Sequence, residues 1–253
     1  MSNEGFSYAI KDNETNTYIG VSVSHFDKSP GAGDYSSKLE NSLQHQSLLS
    51  GNFKKVYMIY SFEESVLIPF PLYDSQQNGN ALNLIHGDLQ NNTSVLTDVI
   101  AEKGIYNSYR ISTPLLVITR SKFPEAINRH QYSVLLKQVS AGEDKLSVIF
   151  YSKKIVLTLI KNGVAQFINT FEYKTAEEVL YVLLNTCKQF NTENIPVEIS
   201  GTLETNSALS KEIHKYFSPV NFTELPSGHN YSEEFTKHPS HYFSYIFAVD
   251  SCE

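Results

Sequence analysis

The sequence predicts a mixed α/β fold built from two units of related design. The first observation is a run of three strands from Leu146 to Glu172, which a helix follows at once. The second is an alternation of apolar and polar residues on both sides of a polar turn, at 6–11 and 19–24. Period-two alternation is typical of strands, and a short polar turn between two such runs predicts a hairpin. Both halves of the chain are therefore expected to open with antiparallel strands.

The second half has the clearer local signals. Asn162-Gly163 lies between its second and third strands and favours a type I′ turn, which needs positive φ at both central residues. Thr175 and Glu178 form a capping box that predicts the start of a helix over "AEEVLYVLLNTCKQF". A strand in "PVEIS" ends at Gly201, and a helix, the strand "PVNFTEL" and a helical terminal segment "PSHYFSYIFAVDSCE" follow. Several strands are apolar on both faces, so both sides of the sheet are expected to be covered.

The first half carries the opening hairpin, a loop in "DKSPGAGDYSS", and a leucine-striped helix after that loop. Further strands lie in "KVYMIYSFEESVLIPFPLYD" and "IYNSYRISTPLLVITRS", and "SQQNGNALNLIHGDLQNNTS" is interpreted as an insertion. The small and charged residues of "SAGED" (140–144) predict a hinge. We therefore expect an N-terminal lobe at 1–141 and a C-terminal lobe at 142–253.

The order of elements in the second half is three antiparallel strands, helix, strand, helix, strand and helix. This is the ribonuclease H-like order, and its use twice in one chain is the actin-like ATPase arrangement. A Rossmann fold begins with strand and helix rather than with a three-stranded meander, so it is disfavoured.

Three segments carry a family resemblance: "NTFEYKTAEEVLYVLLNTCKQF", "VEISGTLETNSALSKEIHKYF" and the ending "HYFSYIFAVDSCE". They resemble a bacterial family of uncharacterised proteins that is catalogued only as a domain of unknown function. The resemblance implies an actin-like ATPase fold, distantly similar to the actin-like proteins of pilus assembly and type II secretion. It is strongest from Leu146 to the end of the chain. It implies no activity and no catalytic residues, because the family has none assigned.

Composition narrows the classes of function. The 253 residues carry a formal net charge of −7 and include no basic cluster longer than two residues. A general nucleic-acid binder needs a basic stripe to neutralise phosphates, so that class is disfavoured. No stretch approaches the roughly 18 apolar residues that cross a bilayer. Two cysteines, Cys187 and Cys252, do not make a disulfide framework. We expect a cytoplasmic protein.

Nucleotide chemistry in actin-like ATPases depends on tight hairpins that contain Asp and Gly, so that backbone N–H groups approach phosphate and the carboxylate organises Mg²⁺. The matching turn of the second half, at 151–154, has neither residue, although Lys153 and Lys154 could attract an anion. The opening hairpin offers Asp12 without a glycine, and Gly201 stands alone where several glycines are expected. The candidate nucleotide-cleft residues are therefore Asp12, Ser152, Lys153 and Gly201. Residual binding of ATP and Mg²⁺ stays open, whereas hydrolysis is not expected.

Other kinds of site are less well supported. A ribonuclease H-type nuclease needs several carboxylates at strand ends for two metal ions, but Glu172 and Glu198 are spread out and the strand at Leu146 has none. His238 and His241 have a spacing seen in metal sites but lack a third ligand, so no metal site is predicted. The glycines of "GAG" (31–33) are expected in a flexible loop rather than a dinucleotide-binding turn.

The sequence favours a non-catalytic binding or scaffold protein that has no required cofactor and acts through an unidentified protein partner. The alternative is a nucleotide-binding actin-like ATPase or switch with divergent motifs. A nuclease is a third and weaker possibility.

Overall fold

The computed structural model describes residues 1–2, 4–26 and 32–252. The chain forms two compact units. The first unit comprises Met1–Tyr8, Ser22–Lys137 and Ser251–Glu253, and the second comprises Ala9–Val21 and Gln138–Asp250. The division into duplicated lobes at 1–141 and 142–253 stays a prediction.

The opening strands form the predicted hairpin, and each of them runs from one unit into the other. They are β1 (Gly5–Asp12) and β2 (Thr17–His25). The polar turn between them belongs to the second unit, as does the short strand that pairs with β2 and is described below.

The first unit continues with a parallel pair of strands, a separate antiparallel sheet and four helices. Its elements are α1 (Ala32–His45), β3 (Tyr57–Tyr60), β4 (Ser65–Pro69), α2 (Asn78–His86), β5 (Thr93–Ile100), β6 (Ile105–Ser112), α3 (Thr113–Lys122), β7 (Ile127–His130) and α4 (Gln131–Lys137). Strand β3 pairs with β7 in parallel, and β6 lies between β4 and β5 in an antiparallel sheet. The predicted insertion contains α2, which packs on β4 and β6.

The loop predicted over "DKSPGAGDYSS" is only partly described. Residues 27–31, including Gly31, lie outside the described residues. The backbone from Ala32 onward already belongs to α1, so the expectation of a loop is wrong for residues 32–37.

The second unit has the order of elements predicted for its half of the chain as far as the strand in "PVNFTEL", and one further short strand, which was not predicted, follows. Its elements are β8 (Lys145–Phe150), β9 (Lys154–Lys161), β10 (Val164–Glu172), α5 (Ala176–Gln189), β11 (Val197–Gly201), α6 (Ala208–Tyr216), β12 (Val220–Phe222), β13 (Asn230–Tyr231) and α7 (Glu233–Thr236). The five-stranded sheet has the order β10-β9-β8-β11-β12, in which the first three strands are antiparallel and β11 is parallel to β8 and β12. The terminal segment forms two 3₁₀ helices, Ser240–Tyr242 and Ser244–Cys252, rather than one α-helix.

Both local signals of the second unit are present in the structure. Asn162 has φ 53° and Gly163 has φ 70°, as a type I′ turn requires. The Thr175 hydroxyl accepts the Glu178 N–H at 3.3 Å, and the Glu178 carboxylate accepts the Thr175 N–H at 3.3 Å. The capping box therefore begins α5 at the predicted place.

The core of the second unit is apolar and lies around the five-stranded sheet. Seven of the eight residues of β9 are buried, which confirms that the sheet is covered on both faces. Helices α5 and α6 contribute to this core, whose fully buried members include Leu146, Val148, Leu157, Leu159, Val179, Leu183, Val197, Ile199 and Ile213.

No helix among the described residues is both long enough and apolar enough to cross a bilayer.

Candidate functional site

Asp12 lies at the turn of the β1–β2 hairpin, and its carboxylate accepts hydrogen bonds from that turn. Its carboxylate accepts the Thr15 hydroxyl at 2.7 Å and the Glu14 N–H at 2.9 Å. These two bonds, the hydroxyl first, hold the pKa of the Asp12 carboxyl below its ordinary value. The arrangement is that of an Asx turn, in which the side chain stabilises its own loop.

The tip of the same hairpin is attached to the segment 228–231. The Asn16 side chain donates to the Gly228 carbonyl at 2.7 Å, and the Asn230 N–H donates to the Asn16 carbonyl at 3.0 Å. Strand β13 runs parallel to β2, and Tyr18 stacks on Tyr231 with ring centroids 5.5 Å apart. These contacts attach the turn to the segment 228–231.

The turn between β8 and β9 contains no glycine, and the side chains of neighbouring residues pack against it. The Tyr151 N–H donates to the Lys154 carbonyl at 2.9 Å, and the Tyr151 carbonyl accepts the Tyr173 hydroxyl at 2.9 Å. The Tyr151 ring meets the Tyr245 ring edge-on at 5.3 Å and has the Lys154 ammonium 5.7 Å from its centroid. Lys154 is only 2 % exposed, so of the two lysines expected to attract an anion only Lys153 faces solvent.

Gly201 ends β11 and is required there by the backbone of β8. It has φ +84°, and a Cβ at this position would lie 2.0 Å from the Phe150 carbonyl oxygen. The Thr202 N–H donates to that same carbonyl at 2.9 Å. Glycine is therefore explained by a close approach within the protein itself, without any ligand.

The structure brings three of the four predicted residues to one edge of the sheet. Parallel strands β8 and β11 end side by side, with Phe150 opposite Gly201. Ser152 and Lys153 follow β8 directly and are exposed. In open α/β sheets ligands bind outside the carboxyl ends of the strands, so this edge is where a small ligand would be expected. Among the described residues, no hydrogen bond or ion pair joins Asp12 to this group.

The two histidines of the possible metal motif have separate structural roles. His241 is buried, shares a hydrogen bond of 2.9 Å with the Leu203 carbonyl and packs against Phe222. His238 packs on Tyr242 and Phe243. Within the described part of the chain no three acidic, histidine or cysteine side chains are grouped so that they could hold a metal ion.

Sequence reasoning missed a buried polar cluster in the first unit. The Asp98 carboxylate, 2 % exposed, accepts the His130 backbone N–H at 2.6 Å and the Tyr109 hydroxyl at 3.4 Å. Burial raises the pKa of Asp98, and the hydrogen bonds from His130 and Ser133 oppose that rise. Asp98 lies in β5 and accepts the backbone N–H of His130, the residue that precedes α4, where a helix start leaves N–H groups unpaired.

The cluster continues from Asp98 through side chains on neighbouring strands. Asn107 is fully buried, accepts the Ser65 hydroxyl at 2.6 Å and donates to the Ser133 hydroxyl at 3.0 Å. The His130 ring accepts the Tyr132 N–H at 3.1 Å through Nδ1, so its Nε2 donates to the Phe62 carbonyl at 2.9 Å. We refer to Asp98, Asn107, Tyr109, His130 and Ser133 as the polar core cluster. Its members are bonded to one another and to backbone, which is the arrangement of a structural network.

A buried arginine near the insertion also has a structural role. The Arg110 guanidinium donates to Glu64 at 2.9 Å, to Asn83 and to the Gly87 carbonyl at 2.8 Å. Asn83 lies in α2 and Gly87 follows its last residue, so Arg110 holds this helix on the antiparallel sheet.

Comparison with known proteins identifies both a family and a fold. A family model described as "Protein of unknown function (DUF3822)" matches residues 1–220. Among curated proteins, none matches the chain.

Solved structures similar to the chain include the following three. A Bacteroides thetaiotaomicron protein described as having an actin-like ATPase fold and unknown function is similar with a TM-score of 0.76 and 20% identity, over 88% of each chain. A chain of the PilM–PilN type IV pilus biogenesis complex is similar with a TM-score of 0.65 and 8% identity, over 100% of this chain and 97% of that one. The cytoplasmic domain of EpsL, an inner membrane component of the type II secretion system of Vibrio cholerae, matches at a TM-score of 0.44 and 10% identity, over 100% of this chain and 92% of that one.

These findings confirm the predicted actin-like ATPase fold and the resemblance to an uncharacterised family.

Proposed function

The chain belongs to the DUF3822 family of proteins of unknown function, and from that premise we propose that it is a non-catalytic binding or scaffold protein on an actin-like frame. The proposal depends mainly on the side chains of the β8–β9 turn, which has no glycine. Its backbone carries the side chains of Tyr151, Ser152, Lys153 and Lys154, and two aromatic neighbours, Tyr173 and Tyr245, pack or bond on Tyr151. In a phosphate-binding turn, exposed backbone N–H groups point at the phosphate, and large side chains on the turn would obstruct its approach.

Catalysis of phosphoryl transfer also requires a bound metal ion, and the candidate residues of this chain are poorly suited to hold one. It depends on positioning and on a held Mg²⁺ that neutralises developing charge. Asp12 is the one acidic candidate from the hairpin, and its oxygens already accept bonds from Glu14 and Thr15. The proposal therefore assigns the frame a pseudo-ATPase character.

A protein partner is part of the proposal. The neighbouring PilM structure is a complex with PilN, and PilM has the same fold at 8% identity. In this chain the insertion exposes three large apolar side chains, namely Leu84 at 84%, Ile85 at 63% and Leu89 at 49%. Apolar side chains concentrated on one surface segment are a common mark of protein interaction sites. We also propose duplicated ribonuclease H-like lobes at 1–141 and 142–253, and a location in the cytoplasm.

Nucleotide titration with a thermal readout tests the proposal. Saturation with ATP and Mg²⁺ at 100 times the dissociation constant would raise the melting temperature by roughly 5–10 °C in a protein of this size. We expect no shift and no turnover above the level of an Asp12→Ala variant. A shift together with turnover that Asp12→Ala abolishes would contradict the non-catalytic role.

Lys153 is exposed and follows β8, whose last residue Phe150 pairs with Gly201, and this placement supports a second candidate, a nucleotide-binding switch. For this candidate we expect a thermal shift with ATP that Lys153→Ala removes, without turnover. A matched variant, Lys174→Ala, changes an exposed lysine after β10 and serves as the control for net charge.

A further inference from the structure

We propose that Asn78, at the start of α2, is a site of spontaneous deamidation in the folded protein, and that the fold protects Asn162 in the β9–β10 turn from the same reaction. These are the asparagines of the chain that a glycine follows directly. Asparagine is a thermolabile residue. A following glycine makes it more so, because a residue without Cβ lets its backbone nitrogen approach the side-chain amide carbon closely.

The reaction joins the side chain to the next backbone nitrogen. The Gly79 nitrogen gives up its proton to a base in the solvent and forms a bond with Cγ of Asn78. The bond from Cγ to Nδ2 breaks, and the side-chain nitrogen takes a proton from water and leaves as ammonia. Water then opens the cyclic imide at either carbonyl carbon, which leaves aspartate or isoaspartate at position 78. The reaction therefore needs water as its co-reactant, an N–H that no carbonyl holds, and room for the backbone to rotate.

The backbone at Gly79 meets these requirements. Gly79 is the second residue of α2, and N–H groups in the first turn of a helix have no carbonyl within that helix to bond. Among the described residues, none accepts this N–H. A Cβ placed on Gly79 would meet no atom within 4 Å, so the surrounding space is open. The Asn78 amide nitrogen has a long contact of 3.5 Å to the Thr97 hydroxyl, and first turns of helices fray.

The turn at Asn162 is held against the segment 140–144, which closes it to the reaction. The Gly163 N–H donates to the Glu143 carbonyl at 2.8 Å, and the Asn162 N–H donates to the Asp144 carboxylate. A Cβ on Gly163 would lie 2.5 Å from a backbone nitrogen of that segment, so the two stretches of backbone pack tightly. Asn162 itself is exposed, so its protection comes from these hydrogen bonds and contacts rather than from burial.

Deamidation places one further negative charge in the first turn of α2. Where the product is aspartate, the helix macrodipole favours the charge at this end. Isoaspartate instead adds one carbon to the backbone path and interrupts the turn. The other end of α2 stays attached through Arg110, which donates to Asn83 and to the Gly87 carbonyl. The modification therefore changes the start of the helix and leaves its attachment to the sheet in place.

Peptide mapping by mass spectrometry tests the assignment. The folded chain is incubated at mildly alkaline pH, and the mass increase from amide to acid is followed in the peptides that contain Asn78 and Asn162. We expect Asn78 to react at least about tenfold faster, equivalent to an opening free energy of about 1.4 kcal/mol or more for the turn at Asn162. In urea the two sites should react at similar rates.

Three results would overturn the proposal. The first is a folded chain in which Asn162 reacts as fast as Asn78 or faster. The second is a folded chain in which Asn78 stays intact over a period that deamidates the unfolded chain. The third is a difference between the sites that persists in urea, because it would then come from neighbouring residues along the chain and not from the fold.

Two variants separate the reaction from a general loss of stability, and unfolding midpoints confirm that each is folded. Gly79→Ala fits the open space, but its Cβ hinders the approach of the nitrogen, so the reaction at Asn78 should slow. Asp144→Ala removes the carboxylate that accepts the Asn162 N–H, so Asn162 should react faster while Asn78 keeps its rate. An unchanged rate at Asn78 in the first variant would contradict the cyclic imide. An unchanged rate at Asn162 in the second would contradict its protection by 140–144.

Discussion

The two units differ in the interactions found in their cores, which are apolar packing in the second unit and a buried hydrogen-bond network in the first. In the second unit, strands β8, β9 and β11 bury mostly Leu, Val and Ile side chains, and alternate residues of these strands form one core with α5 and α6. In the first unit, the members of the polar core cluster are buried and joined by hydrogen bonds, and the buried Arg110 bonds separately to Glu64, Asn83 and the Gly87 carbonyl. An apolar core tolerates small shifts because the hydrophobic effect has no preferred direction. A polar core holds one arrangement, because every buried donor and acceptor needs its partner.

Leu157→Asn is expected to have the largest effect among the changes that probe this difference. Leu157 is fully buried in β9, and no polar partner is described for its side chain. The variant loses apolar burial and gains an amide without partners, which together cost about 4 kcal/mol of unfolding free energy. Urea denaturation measures the loss. The control is Val164→Asn on the exposed start of β10, and an equal loss in both variants would contradict an apolar core at Leu157.

Asn107→Leu makes the opposite substitution, apolar for polar, in the first unit. It is expected to lower the free energy of unfolding by less than Leu157→Asn does. It leaves Ser65 and Ser133 without their bonds to the amide, and each unsatisfied buried group costs in the range of 1–3 kcal/mol, so about 2 kcal/mol is expected after hydroxyl rotation. The same urea experiment applies. A neutral or stabilising result would show that the polar core cluster contributes nothing beyond its volume.

Thr175→Ala probes a local signal that does not depend on either core. It removes the hydroxyl that accepts the Glu178 N–H, so a loss of ~1 kcal/mol is expected in the unfolding free energy. Glu177→Ala, in the same first turn but outside the capping box, is the control. If both changes shift the unfolding midpoint equally, the cap has no specific role.

Asp98→Asn is expected to differ from the other variants in its pH dependence. Burial raises the folded-state pKa of Asp98 above its ordinary value of 3.8. Between 3.8 and that raised value the folded chain holds more protons than the unfolded chain, so the Asp98 contribution falls as pH rises through this window. It is complete below the unfolded pKa and lost above the folded one. Urea midpoints at several pH values should therefore show a decline in the original chain that the variant lacks.

The difference between the cores also explains why the strands of the second unit could be predicted from the sequence and the polar core cluster could not. The strand order of the second unit was predicted because its apolar runs, the Asn162-Gly163 turn and the Thr175 cap are all local signals. The residues of the polar core cluster were not identified. Asp98 lies in an alternating strand, where a polar residue is normally exposed, and its partners come from other elements.

The candidate site shows the same limit. The sequence marked Asp12, Ser152, Lys153 and Gly201, and the structure brings the last three to one sheet edge. The sequence could not reveal that Lys154 is buried against Tyr151. It also could not reveal that a side chain at position 201 would clash with the Phe150 carbonyl oxygen. Both facts depend on pairs of residues that are close in space but not fully specified by spacing along the chain.

By itself the sequence determined the α/β class, the opening hairpins, the strand order of the second unit and the lack of a glycine-rich turn at 151–154. These features follow from periodicity and from the backbone preferences of single residues. Only the tertiary structure decided which polar side chains are buried, how the hairpin tip meets 228–231, and which edge of the sheet is left long. Those outcomes depend on hydrogen bonds and packing between distant segments, because the free energy of a buried polar group depends on the partners that the fold places beside it.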